Sequence, residues 1–196
     1  MRSVLCLITD RGRFGAGWER ASVERVRAAA RDGVDLVQVR ERDLDGGPLA
    51  SFVRACVDAV RGTRTRVLVN DRLDVALVAG AHGVHLRGDS MPAPRARRIA
   101  PPGFLIGRSV HSVEEAERAA AGGGLDYVMF GTVFPTASKP GREPAGLDAL
   151  AAVAAATPLP VLAVGGITAD RIGRVVGAGA AGAAGISMFD TPPRVP

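Results

Sequence analysis

Lysine is almost missing from this 196-residue chain. Of its 25 basic residues only Lys139 is a lysine, so every other positive charge is an arginine. Aromatic residues are scarce as well, at 4%. That counts against an aromatic-rich binding surface and makes a nucleic-acid partner a poor expectation. Cys6 and Cys56 are the only cysteines; they lie far apart, lack metal-type spacing and fall in apolar segments, where a thiol packs as a small hydrophobe. This points to a reducing compartment. No apolar run approaches a membrane span, and the first ten residues are too short in their apolar stretch for a signal peptide. The expectation is a soluble cytoplasmic protein, with residues 1–196 forming one domain that can bury roughly 70% of its unfolded surface.

What is abundant is Ala, Val and Gly, a composition suited to helices packed closely on a sheet. The formal net charge is +5, with arginines interleaved with acids, as in Arg40-Glu41-Arg42-Asp43. Most of that charge reads as solvated surface, with an anionic substrate as its functional component. Strand-like runs fall at 3–9, 34–40, 65–70, 83–86, 105–109, 125–130, 160–164 and 183–187. Between them lie helical patterns at 18–31, 48–61, 72–79, from Pro92, from Ser112 to Ala121, 147–156 and 169–177. Ser112 with Glu115 three residues later is a capping-box signal.

Eight strands alternating with seven helices predict an α/β fold, a parallel (β/α)8 TIM barrel. An open doubly wound sheet is the runner-up, disfavoured by the lack of a Gly-x-Gly-x-x-Gly after the first strand. The eighth helix is absent or reduced to a turn. That would expose apolar surface over strands eight and one, for which a homodimer partner is the expected cover.

Barrel active sites lie where the strands end, and polar clusters gather there. They include Gln38, Arg40 and Arg42 after strand two, Asn70 and Asp71 after strand three, and Asp89 and Ser90 after strand four. Ser109 and His111 follow strand five. The loop from Gly131 to Gly141 carries Lys139 beside Thr132, Thr136 and Ser138, a mobile ammonium among hydroxyl donors that suits a phosphate or diphosphate. Gly165-Gly166 lets backbone approach an anion, and with Ile186 and Ser187 resembles the barrel phosphate site of the seventh and eighth loops; a plain tight turn is the alternative. His111, past a strand end and before a capped helix, is the choice for proton transfer. Asp71 is either a metal ligand or a helix cap, and Asp89 reads more ordinarily as a turn residue. His85 faces either the barrel or the rim; His82 is structural.

With those loops in place, the chain resembles the thiamine phosphate synthase and thiazole tautomerase superfamily over nearly its whole length. The matching stretches are Leu7-Ile8-Thr9-Asp10, Gln38 to Arg42, Asn70 to Leu77, Gly83 to Leu86, Gly131 to Lys139 and Ala163 to Ile167. The resemblance implies a phosphate-binding barrel of thiamine biosynthesis, commonly dimeric. A synthase couples a pyrimidine diphosphate to a thiazole phosphate with Mg²⁺ neutralising the departing diphosphate. In that branch Arg40, Asn70, Ser109 and Lys139 would contact the pyrimidine diphosphate, with Thr136, Ser138 and Gly166 on the thiazole side. Here, however, Arg42 stands in place of lysine, Ser138 in place of a common threonine, and Ser90 in place of the second metal-binding aspartate.

The tautomerase branch aromatises a carboxylated thiazole phosphate by moving a proton, and needs no metal or other cofactor. The run Ile106 to Ser112 resembles that branch more closely, with His111 matching its acid or base. The expectation is therefore a thiazole tautomerase, with the Mg²⁺-dependent synthase as first alternative and metal at Asp71 only in that case. A non-catalytic sensor of phosphate ligands, or another phosphosugar isomerase, stands further off.

Overall fold

The computed structural model describes residues 2–136, 141 and 143–190. Eight parallel strands close into a barrel in sequence order: β1 (Val4–Ile8), β2 (Leu36–Val39), β3 (Arg66–Asn70), β4 (Gly83–Leu86), β5 (Leu105–Val110), β6 (Tyr127–Phe130), β7 (Val161–Val164) and β8 (Gly182–Gly185). β8 pairs back onto β1 in the register Val4 with Gly182. Among the described residues seven α-helices join them: α1 (Trp18–Arg31), α2 (Gly46–Ala59), α3 (Leu73–Val78), α4 (Ala93–Ile99), α5 (Val113–Gly122), α6 (Gly146–Ala156) and α7 (Ile172–Gly177).

The strands alternate strictly between two apolar environments. Outward residues such as Leu7, Val37, Val67, Val69, Val84, Ile106, Val128 and Ala163 are buried under the helices. Inward residues Cys6, Ile8, Leu36, Leu68, Tyr127, Met129, Leu162 and Ala184 fill the barrel itself. Each fully buried Leu, Ile or Phe in these layers contributes about 1.5–3 kcal/mol from removal of apolar surface from water. Space inside is shared by pairing large with absent side chains. At Gly107 a Cβ would sit 2.5 Å from the Tyr127 hydroxyl, so this inward position holds glycine because the Tyr127 ring occupies the room.

Helix ends follow local chemistry. The Ser112 hydroxyl accepts the Glu115 N–H at 3.2 Å, the expected cap of α5, while Glu115 reaches back to the N–H of His111 at 2.7 Å. α1 spans the expected residues, and its buried stripe is Ser22, Val26, Ala29 and Ala30. The helix expected over 169–177 is split: a 3-10 turn at Ala169–Arg171 precedes α7. At the end of the barrel where the strands begin, acids tie strands together. Asp35 accepts the Leu5 N–H at 2.9 Å and Asp126 the Ile106 N–H at 2.7 Å.

Ser187, expected within the last strand, instead begins a 3-10 turn, Ser187–Phe189, which follows β8 where an eighth helix would start. This turn does more than end the strand. Met188 is buried at 2% exposure in the core and Phe189 packs against it, so part of the apolar surface expected to lie open over β8 and β1 is covered from within the chain. Asp190 then pairs with Arg25 at 2.7 Å, fixing the turn onto α1.

Candidate functional site

Parallel strands all point their C-terminal ends to one rim, and side chains two residues apart share a face. Gln38 and Arg40, His85 and Arg87, and Asn70 and Ser109 are thereby brought to one mouth. A cavity of about 170 Å³ opens there. Its lining contains Gln38, Arg40, Arg42, Asn70, Ser109, Thr136, Gly165, Gly166, Ile186 and Ser187, together with Ile8, His85, Arg87, Met129, Thr132 and Val164. Ser138 and Lys139 lie outside the described residues.

The floor of this cavity is a buried polar chain. His85 is 1% exposed, its Nδ1 2.9 Å from the Tyr127 hydroxyl and its Nε2 2.9 Å from Ser109 Oγ. Burial, with a smaller contribution from Arg108, drives the imidazole down to about 3, so it is neutral. Tyr127 is held well above its ordinary value, chiefly by burial, and stays protonated. Among the described residues its hydroxyl has no other acceptor, so it donates to Nδ1 and the Nε2–H donates to Ser109. The Ser109 hydroxyl, which lines the mouth, then keeps its own hydrogen to donate. Gln38 is set in a related way: its Nε2 donates to Asn70 Oδ1 at 3.1 Å, and among the described residues its buried Oε1 has no partner. A buried carbonyl oxygen without a donor costs about 1–3 kcal/mol, which a ligand N–H would recover.

Glu41 organises the cationic wall. Thr9 Oγ1 donates to its Oε1 at 2.5 Å and the Arg11 N–H to its Oε2 at 3.1 Å, while the Arg40 N–H donates to Thr9 Oγ1 at 3.0 Å. Burial raises this carboxyl, and the two hydrogen bonds oppose the rise. Arg40 is held below the usual arginine range by burial first and by the neighbouring Arg42 second. Among the described residues neither Arg40 nor Arg42 makes a direct ion pair, and Asp10 and Glu41 act on Arg40 only through space.

On the far side, the loop after β6 is anchored where it begins. The N–H groups of Val133 and Phe134 donate to Val164 and Gly165 carbonyls, each at 3.0 Å, and the Phe134 ring lies under the guanidinium of Arg171 at 4.8 Å. Gly165 and Gly166 have φ of +99° and +63°, and a Cβ on Gly166 would stand 2.8 Å from Phe134 Cβ. Both the backbone conformation and the close approach therefore require glycine.

His111 sits elsewhere. It is exposed, its Nδ1 lies 2.7 Å from the Gly131 carbonyl, and it lines a second cavity of about 450 Å³ beside α4 and α5 with Arg108, Glu115 and Arg118. That cavity is larger, and Ser109 borders both. The convergent arginines, the orphaned amide oxygen and the glycine turn favour the mouth, despite its smaller volume, as the place for chemistry. Asp71 does not cap α3, whose N-cap is Arg72. Its carboxylate instead accepts from the Ser90 hydroxyl and lies 3.7 Å from Arg87 Nη1; Asp89 pairs with Arg87 Nη2 at 2.5 Å. Neither Asp71 nor Asp89 borders the mouth cavity. His82 accepts the Val67 N–H at 3.0 Å, a structural role.

Arg87, Glu41 and Arg108 belong to the polar clusters that end strands four, two and five, but sequence reasoning assigned no role to them or to Tyr127. Arg87 carried a signal, since it stands two residues after His85 and shares its face. Arg108 fastens the loop after β4 by donating to the carbonyls of Arg87, Gly88 and Met91, a role visible only once β4 and β5 are paired.

A family model described as thiamine monophosphate synthase matches residues 5–189. A thiamine-phosphate synthase of Methanoculleus marisnigri is 46% identical over 184 residues, covering 93% of this chain and 85% of the relative. Another, from Roseiflexus castenholzii, is 41% identical over 187 residues, covering 95% and 80%. Among solved structures, a thiamine phosphate pyrophosphorylase from Pyrococcus furiosus superposes with a TM-score of 0.80 at 35% identity, covering 94% of this chain and 85% of that one. These likenesses overturn the tautomerase expectation. The run from Ile106 to Ser112 on which it leaned is short beside a similarity to synthases that spans the barrel; the proton transfer assigned to His111 belonged to that reading.

Proposed function

Since the chain belongs to the thiamine monophosphate synthase family, we propose that it is a transferase that couples a pyrimidine diphosphate to a thiazole phosphate, releasing diphosphate. The observation that carries this reading is the mouth itself, where three guanidinium groups share one cavity with an orphaned buried amide oxygen. Gln38 Oε1 is an acceptor for the amino group of an aminopyrimidine, and Asn70 holds the amide in that orientation. Ser109, supplied with a hydrogen bond from His85, presents its hydroxyl as a donor. Arg40 and Arg42 draw the diphosphate. Across the mouth Thr136, the Gly165-Gly166 turn, Ile186 and Ser187 form the thiazole phosphate side, with Ser138 and Lys139 assigned there or to the diphosphate by resemblance.

With both ligands seated, the bond between the pyrimidine methylene and the diphosphate oxygen breaks, the electron pair leaving with oxygen. The thiazole nitrogen then supplies the pair that forms the new C–N bond. Arginine donors favour this because charge grows on the departing oxygens, and fixed cations in a partly closed site stabilise it without reorganising. The resemblance implies Mg²⁺. The donor set does not fit a protein-held ion: no carboxylate borders the cavity among its described lining residues, and Asp71 is already engaged by Ser90 and Arg87. No step is derived through a metal.

The test is direct. Pure protein given both substrates and Mg²⁺ should yield thiamine phosphate, seen by chromatography; an absence of product ends the reading. A cytoplasmic homodimer is part of the same proposal, and a monodisperse monomer in sedimentation would remove the dimer.

A further inference from the structure

Charge at the mouth is one-sided. The charged residues lining the cavity are Arg40, Arg42 and Arg87, with no carboxylate among the described lining residues. The acids of the loops after β3 and β4 are turned to other work. Asp71 takes the Ser90 hydrogen bond and faces Arg87 at 3.7 Å, and Asp89 holds the other arm of Arg87. A magnesium ion needs near-octahedral oxygen coordination and commonly rests on one or two carboxylates plus substrate phosphates. At Asp71 an incoming dication would meet a carboxylate already hydrogen-bonded and a guanidinium beside it.

Arg87, in contrast, is free to change partners at little cost. It is exposed, and Asp89 is more exposed still, with side-chain exposures of 47% and 70%. Such solvent-facing pairs contribute little to stability, so an anion with more charge and more oxygens can take the guanidinium from Asp89. The planar fork matches two phosphate oxygens at once. Arg108 holds the backbone of Arg87, Gly88 and Met91, which keeps the base of Arg87 at the rim while its head moves.

We propose that Arg87, with Arg40 and Arg42, grips the diphosphate group and takes the place of a divalent cation held by the protein, Asp71 being engaged by Ser90 and Arg87 and no carboxylate facing the described mouth. This rests on the synthase reading for the identity of the diphosphate ligand. Asp89 is then a placeholder that keeps the Arg87 head near the mouth until the anion arrives.

The experiment is calorimetric titration of the full chain with inorganic pyrophosphate, in EDTA and again in Mg²⁺. The dissociation constant in EDTA should lie within about threefold of that in Mg²⁺. Arg87→Gln should weaken binding in EDTA by about tenfold or more, and Arg87→Lys, which keeps charge but loses the fork, by less. Ser90→Asp should make binding respond to Mg²⁺, by placing a second carboxylate against Asp71. Binding that requires Mg²⁺ in the unaltered chain, or an Arg87→Gln protein that binds as well as its parent, overturns the proposal. Thiamine phosphate formation is scored separately. Product together with strictly Mg²⁺-dependent pyrophosphate binding removes the arginine grip and leaves the synthase; pyrophosphate binding in EDTA without product under any condition removes the synthase and leaves the grip.

Discussion

Replacing His85 by glutamine should flatten the acid limb of the protein's stability curve. The imidazole is enclosed in the barrel between Tyr127 and Ser109 and is pushed from 6.5 to about 3. Below pH 6.5 the unfolded chain binds a proton at this residue that the folded chain refuses until about pH 3. Because the unfolded state binds more protons across that window, stability rises with pH and falls on acidification. The slope from this one group is about 1.4 kcal/mol per pH unit once well below 6.5, and its full effect over the window is about 4–5 kcal/mol. That is a large part of a typical total of about 5–15 kcal/mol. Glutamine does not titrate, and its amide can accept from Tyr127 and donate to Ser109. Urea unfolding of both proteins at about pH 8, 6 and 5 should give curves that diverge in slope only below 6.5, other titrating groups cancelling in the difference. Parallel curves would refute the claim that His85 is buried neutral. Equal loss of stability at all pH values would show that its contribution is packing alone.

Gly107→Ala puts a Cβ into the Tyr127 ring and should cost about 1–3 kcal/mol, read as a lower thermal midpoint; no change would mean the barrel interior has slack. Glu41→Ala removes the acceptor for Thr9 and the Arg11 N–H beneath Arg40, and should lower stability by about 2–3 kcal/mol in urea unfolding. An unaffected midpoint would show that Arg40 is positioned by other groups. Gln38→Leu should raise KM for the pyrimidine diphosphate about tenfold with little change for the thiazole phosphate. An equal effect on both would place the amide outside the pyrimidine pocket.

The order of strands was legible because each is a short apolar run between turn residues, and parallel strands buried on both faces need no long-range information to be recognised. Strand ends were less so. Val34 and Ser187 continue apolar patterns, yet one lies before β2 and the other opens a 3-10 turn, since the ladder stops where neighbours stop pairing. Rim residues such as Gln38, Arg40 and Asn70 were found because polar side chains at the C-terminal end of apolar strands have few other reasons to be there. Arg87 was given no role, and Asp71 was left between metal ligand and helix cap, for a common reason. Whether a carboxylate is open to a metal depends on what hydrogen-bonds it, and Ser90, nineteen residues from Asp71, does so across a loop. The local run around His111 misled in the opposite sense, being persuasive in sequence while its histidine opens onto a different cavity from the mouth.

By itself, then, the sequence determined the alternation of strands and helices, the barrel, the cap of α5 and the set of polar residues offered to one rim, because periodicity and capping act over a few neighbouring residues. Only the tertiary structure decided which of those residues share a cavity, that His85 is neutral, that Gln38 keeps an unanswered oxygen, and that arginine rather than carboxylate faces the mouth. Those properties depend on burial and on partners brought from other strands, and both exist only after the barrel has closed.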